Sequence, residues 1–228
     1  MKKIISLVAT AVLLLSGISG CKADEPLLKT GILRVAVTNE LDNSEEIAQK
    51  IASEMGVSYE LITIEKNEAQ KMLADGSADI AIGRFSERET PNLTYRMTLP
   101  VAENRIYIVC GKELNFSATS QLEGKVIGAD TELPQTVRNS LLSNAMDKKF
   151  VCENAEKAAE MLKSGDAAAY VCFEDEAVAL ISENAELRCC TPTDIEPERY
   201  RVLLHGENTE LFSAVNGAIG KTIILAND

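Results

Sequence analysis

The chain carries the same short module twice, and that repetition limits what it can fold into. Met72-Leu73, followed by Gly76, Ala78 and an apolar run, matches Met161-Leu162, followed by Gly165, Ala167 and an apolar run, at an offset of 89 residues. Upstream, Thr38-Asn39-Glu40-Leu41 is echoed by Asp130-Thr131-Glu132-Leu133 at an offset of 92. Each of these follows a β-rich run and precedes a helical one. A helix that stops on glycine and turns into an apolar strand is half of a strand–helix–strand unit. Two such modules in the same order predict two similar α/β lobes.

The elements between them fit that class. Ile32–Val37 alternates as a strand, and 39–43 is a polar loop. Ser44 is expected to cap a helix with Ile47, Ile51 and Met55 on one face and Gly56 as its stop. Tyr59–Ile64 reads as the next strand, Glu68–Ala74 as a short helix and Asp79–Ile82 as a third strand. Strands alternating with helices imply parallel pairing. The β-rich run Arg105–Cys110 is expected to cross to the second lobe, and Tyr200–His205 to return. Asn208 then caps a helix with Leu211, Val215 and Ile219 on one face. Lobe 1 is thus expected at 30–108 plus 206–228 and lobe 2 at 109–205, two Rossmann-like lobes joined by a two-strand hinge. Such lobes form a cleft that can close on a ligand.

The N-terminus sets the compartment. Lys2 and Lys3 precede an apolar run from Ile4 to Leu15, too short to span a bilayer and suited to a signal-peptide core. Ile18-Ser19-Gly20-Cys21 resembles a bacterial lipoprotein cleavage box. That resemblance implies that residues 1–20 are removed and that Cys21 becomes a lipidated first residue, with 21–29 as tether. A plain secretory signal with a coincidental cysteine is the other reading. The expected location is extracytoplasmic, at the periplasm or cell surface, with the membrane met through the lipid anchor only.

Charge and cysteines exclude several function classes. Removing residues 1–20 takes away two lysines, so the net charge goes from −12 to −14. So acidic a body is a poor partner for nucleic acid or anionic lipid. Five cysteines follow the anchor: Cys110, Cys152, Cys172, Cys189 and Cys190. Cys110, Cys152 and Cys172 sit in apolar contexts and are expected to pack as small hydrophobes. The odd count leaves at least one free thiol. With no C-x-x-C spacing and His205 as the one histidine, no metal site is expected. No phosphate loop, dinucleotide fingerprint or other cofactor motif is present.

Six segments in order carry a specific resemblance: GILRVAVTNE (31–40), MLADGSADIAIGRFS (72–86), TLPV (98–101), LEGKVIGAD (122–130), AAEMLKSGDAAAYV (158–171) and NTELFSAVNGAI (208–219). The chain resembles the type II periplasmic binding proteins, in particular the family-3 solute-binding proteins of polar amino-acid uptake. The resemblance implies a monomer of two α/β lobes that holds a small polar ligand between them and delivers it to an ABC-type permease.

The ligand anchors of that family are replaced here. Its carboxylate-binding arginine aligns with Pro91, Arg84 stands where glycine is usual, and Arg88 lies nearby. The family's glycine-threonine turn, which offers backbone N–H groups to an anion, reads Glu132-Leu133. Its ammonium-binding aspartate aligns with Phe173, followed by Glu174 and Asp175. In an α/β lobe ligands bind beyond the carboxyl ends of the strands. The candidate ligand-binding residues are therefore Thr38, Asn39, Glu40, Arg84, Phe85, Ser86 and Arg88 from lobe 1. Those of lobe 2 are Asp130, Thr131, Glu132, Phe173, Glu174 and Asp175. Carboxylates outnumber arginines in this set, which favours a cationic or mixed-charge ligand. Phe85 and Phe173 are candidate caps from opposite lobes.

Two other functions compete. A non-transport interaction or sensing module would use the lobes for a partner protein. An enzyme would need a poised acid or base, for which Glu40, Glu132, Glu174 and Asp175 are the candidates. No G-x-S-x-G and no cysteine with a supporting histidine is present, so no catalytic residue is assigned.

Overall fold

The computed structural model describes residues 27–28, 31–88, 94–144 and 154–223. The expected signal sequence, Cys21, Pro91 and Cys152 lie outside the described residues. No helix among those described is long and apolar enough to cross a membrane.

The chain builds β1 (Ile32–Thr38), α1 (Ser44–Met55), β2 (Ser58–Ile64), α2 (Ala69–Asp75), β3 (Ile80–Ile82) and β4 (Tyr95–Asn104). It then passes into β5 (Ile106–Gly111), β6 (Ile127–Ala129), α3 (Gln135–Asn144), α4 (Ala155–Ser164), β7 (Ala169–Phe173), α5 (Glu174–Glu183) and β8 (Leu187–Cys190). It returns as β9 (Glu198–His205) and α6 (Thr209–Thr222). One sheet has the order β2-β1-β3-β9-β4 and the other β6-β7-β5-β8. β1, β2 and β3 are parallel, as are β6 and β7, whereas β9 and β5 run antiparallel to their neighbours.

The first lobe is covered on both faces, as a parallel sheet must be. Leu33, Val35 and Val37 of β1 pack with Ile47 and Ile51 of α1 and with Val215 and Ile219 of α6. Ala36, on the other face, packs with Leu73 of α2 and with Phe85. The apolar spacing of α1 does bury one face. Its N-cap, however, is Asn43 rather than Ser44, whose hydroxyl donates to the Leu41 carbonyl at 2.5 Å from the first helical position. Gly56 ends α1 in the left-handed region at φ 68°, where a side chain would be strained. Asn208 caps α6 as expected, its side chain accepting from the Leu211 N–H at 3.0 Å.

The internal repeat is real in three dimensions. The Ala78 N–H donates to the Met72 carbonyl at 3.1 Å, and the Ala167 N–H to the Met161 carbonyl at 3.0 Å. The next residue in each case ties to the neighbouring parallel strand: Asp79 N–H to the Arg34 carbonyl and Ala168 N–H to that of Val126. β1 and β3 of one lobe thus correspond to β6 and β7 of the other.

The chain changes sheets at Arg105 and again across 191–197, so all eight residues of β9, which the sequence reading put in lobe 2 with its boundary at 205, lie in the first sheet. Tyr200–His205, read as a crossing, lies inside β9 and pairs with β4 within the first sheet. At the hinge the Glu174 N–H donates to the Arg105 carbonyl at 2.9 Å and to Asn104 Oδ1 at 3.3 Å.

The described cysteines pack in the second lobe as free thiols. Alternation along β8 sends Cys190 to one core cluster and Cys189 to the other. Cys110 and Cys172 are fully buried. Burial, and then the neighbouring Cys190, push the Cys110 thiol up to about 12, so it is not a nucleophile at neutral pH.

Candidate functional site

The carboxyl ends of β1 and β3 in the first lobe face those of β6 and β7 in the second, the side on which α/β sheets bind ligands. Between them lies a cavity of about 820 Å³. Of the residues proposed from sequence, Asn39, Glu40, Arg84, Ser86, Arg88, Thr131, Glu132, Phe173 and Asp175 line it. Asp130 lines an adjoining recess of the second lobe, with Thr131, Glu132, Phe173, Asp175 and Glu176.

Three others do not line either space. Thr38 is 3% exposed and packs on Gly83. Phe85 is buried in the first-lobe core, so it does not cap the cleft. Glu174 turns toward the hinge, where its carboxylate lies 3.4 Å from the Tyr107 hydroxyl. Phe173 both borders the cavity and belongs to the second-lobe core.

Gly83 explains the split between Arg84 and Phe85. A Cβ at Gly83 would overlap Thr38 Oγ1 and lie 3.0 Å from Thr38 Cγ2 and 3.2 Å from Phe85 Cε2. Its absence lets the strand end lie flat on Thr38, which puts Phe85 inward and Arg84 into the cleft.

Arg84 spans the cleft. Its Nη2 donates to Asp175 Oδ2 at 3.1 Å, its Nη1 lies 3.7 Å from Glu132 Oε2, and its guanidinium carbon sits 5.9 Å from the centre of the Tyr200 ring. Burial works against its charge, but the Tyr200 phenol, Asp175 and Glu132 outweigh that and hold its pKa above the usual value. Arg88 pairs with Glu198, Nη1 to Oε2 at 2.5 Å, and Glu198 is 4% exposed. Lys66 stands 3.9 Å from Glu40.

Several cavity residues were missed: Asp42, Lys66, Arg138, Glu198 and Tyr200. Arg138 is the informative one. It projects from the first turns of α3, donates from Nη2 to Gln135 Oε1 at 2.8 Å, and has an Nε without a partner among the described residues. No carboxylate pairs with it among those residues. The carboxylate excess counted from sequence therefore overstates the pull on a cation. Glu132, Asp175 and Glu198 already face arginines, and one guanidinium is left over. The spacing Glu132…Gln135…Arg138 placed at the start of a helix was the signal that could have found it.

The adjoining recess contains a carboxyl whose affinity for its proton is raised. Burial first, then the Asp130 carboxylate and a hydrogen bond to it, push the Glu176 carboxyl up to about 7, against the pull of the Tyr170 hydroxyl. That hydroxyl lies 3.3 and 3.2 Å from the two Glu176 oxygens. Glu176 ordinarily titrates near 4.5, so between about 4.5 and about 7 the folded chain keeps a proton that the unfolded chain has lost. Stability is therefore expected to fall as pH rises through that window and to level off above it. Half-exposure reduces the effect to about 1–2 kcal/mol. Urea melts at pH 5 and pH 8 check this, and Glu176→Gln should lose the difference.

Residues 43–223 match the family of bacterial extracellular solute-binding proteins, family 3. No curated protein sequence matches the chain. Solved structures similar to it include an amino-acid ABC transporter substrate-binding protein, AbpA, from Streptococcus pneumoniae bound to L-arginine. It is 23% identical, with a TM-score of 0.54, over 84% of this chain and 89% of that one. The VFT2 domain of BvgS from Bordetella pertussis, as a double mutant, is 21% identical with a TM-score of 0.59, over 83% and 87%. The arginine-bound form of truncated ArgBP from T. maritima is 19% identical with a TM-score of 0.53, over 84% and 96%. At these identities the structures establish the fold alone. The family match over residues 43–223, with the two lobes and the cleft between them, shows that the chain belongs to family 3 of the bacterial extracellular solute-binding proteins.

Proposed function

We propose that this protein binds a small polar solute carrying a carboxylate in the cleft between its lobes and passes it to an ABC-type permease. In this reading it works outside the cytoplasm as a monomer anchored through lipid on Cys21. The observation that carries the reading is Arg138, a guanidinium on the cavity wall with no carboxylate partner among the described residues. Planar guanidinium groups suit carboxylates. Ser86 and Thr136 on the same walls can add hydrogen bonds. An amino-acid ligand, as in the arginine-bound relatives, is one member of this class.

The test is a thermal-shift panel of amino acids, short peptides and organic acids on protein beginning at Lys22, which retains every described element. A ligand at about one hundred times its dissociation constant adds about 2.7 kcal/mol and raises the melting temperature by several degrees. Arg138→Ala is expected to weaken the best ligand about tenfold, by about 1.4 kcal/mol. An undiminished affinity in that variant would remove Arg138 from the site.

A second reading, an interaction or sensing module that does not transport, is favoured by one observation: a side chain of the protein itself, Arg84, bridges the lobes across the cleft. Silence across the whole panel in a folded protein would select it.

A further inference from the structure

We infer that Arg84 is a resident cation. Supplied by the first lobe, it fills the cleft's cation subsite, which is made of Asp175 and Glu132 from the second lobe and the ring of Tyr200. It thereby holds the lobes together and denies that subsite to a ligand's amino or guanidinium group. Three observations converge on one side chain. Its two terminal nitrogens face two carboxylates of the opposite lobe, at 3.1 and 3.7 Å. Its guanidinium lies over an aromatic ring of its own lobe. Both ion pairs run across the cleft, from the first lobe to the second.

Opposite charges within about 4 Å and a ring face are what a guanidinium ligand would require. Here the chain provides that group itself, on a side chain whose backbone is fixed by the tight packing of Gly83 on Thr38. The contact is moderate in strength. Asp175 and Glu132 are 61% and 72% exposed, and the Arg84 Nε is buried without an acceptor among the described residues. Exposed pairs of this kind shift a two-state ratio by small factors. Losing Arg84 should lower the closed-to-open ratio of the lobes about five- to tenfold.

The consequence for specificity rests on the solute-binding reading above. With Asp175 and Glu132 taken, a ligand is recognised by its anionic end, at Arg138. The holding role of Arg84 does not depend on that reading.

The experiment uses small-angle scattering and thermal shift, without solute, on wild type, Arg84→Ala, Asp175→Asn and Arg84→Ala/Asp175→Asn. Methylguanidinium chloride is the probe, against sodium chloride at equal ionic strength. Wild type should be compact and unmoved by the probe. Arg84→Ala should show a larger radius of gyration and return to the wild-type value on adding methylguanidinium. The double variant should stay open. Asp175 is exposed, so Asp175→Asn folds even if Arg84→Ala does not, and it too should open. A folded Asp175→Asn with the wild-type radius, or an Arg84→Ala that is compact and indifferent to the probe, overturns the inference. A wild type silent to every carboxylate, beside an Arg84→Ala variant closed by methylguanidinium, would remove the solute reading and leave the role of Arg84 standing. A wild type that binds carboxylates, beside a compact Arg84→Ala, would do the reverse.

Discussion

Arg88→Met is expected to cost about 3 kcal/mol of folding stability. Glu198, its partner, is 4% exposed, and the Arg88 Nη1 meets its carboxylate at 2.5 Å. Removing one member of a buried ion pair leaves a charge that water cannot reach, at a cost of about 3–5 kcal/mol. Arg88 itself is 31% exposed, so some water enters in its place and the lower end of that range applies. The position magnifies the damage. Glu198 opens β9 and pairs in register with Asn104, the last residue before the chain leaves the first sheet. Urea unfolding at pH 7 reads the loss as a lower midpoint. Arg88→Met/Glu198→Gln, which leaves no charge behind, should regain at least half of it. A single-variant loss under about 1 kcal/mol would mean that the pair is effectively solvated.

Gly83→Ala is expected to cost about 2–3 kcal/mol. The new methyl group would overlap Thr38 Oγ1, and Phe85 closes the other side at 3.2 Å. Thr38 is buried and β-branched, which restricts the rotamers into which it can withdraw. Overpacking of this sort costs about 1–3 kcal/mol, and the lack of room places this case at the upper end. Thr38→Ala alone should cost little, because its hydroxyl is buried without a partner among the described residues. The double variant Thr38→Ala/Gly83→Ala should therefore be at least about 1 kcal/mol more stable than additivity allows. Additive behaviour would mean that the strand end shifts to relieve the clash. In that event Arg84 would move too, and the lobes would lose their bridge.

The fold was legible because its signals are local. A helix that stops on glycine and turns back into a strand writes its own boundary, and Gly76 and Gly165 mark that turn in both lobes. The partner of β9 was not legible. Tyr200–His205 has the composition of a strand, but nothing within it says that it pairs with β4 rather than bridging the lobes. The site was legible in outline, since loops at strand ends are found once the strands are. Its chemistry was not. Charges counted along the chain do not reveal which of them neutralise one another across it. Glu132 and Asp175 looked like hosts for a cation until Arg84, some ninety residues before Asp175, proved to face them. Arg138 was hidden for the same reason: its value lies in having no carboxylate partner among the described residues, which only packing can show. Phe85 and Arg84 differ by one residue and face opposite ways because of Gly83, a steric fact invisible in sequence spacing.

The most direct test of a solute site between the lobes is amide chemical-shift mapping of the protein from Lys22 with the best ligand of the carboxylate panel. The account predicts that the largest changes fall at the ends of β1, β3, β6 and β7 and in the first turn of α3, around Asn39, Ser86, Thr131, Thr136 and Arg138. Changes confined to the outer faces of α1 and α6, with those strand ends unmoved, would contradict it.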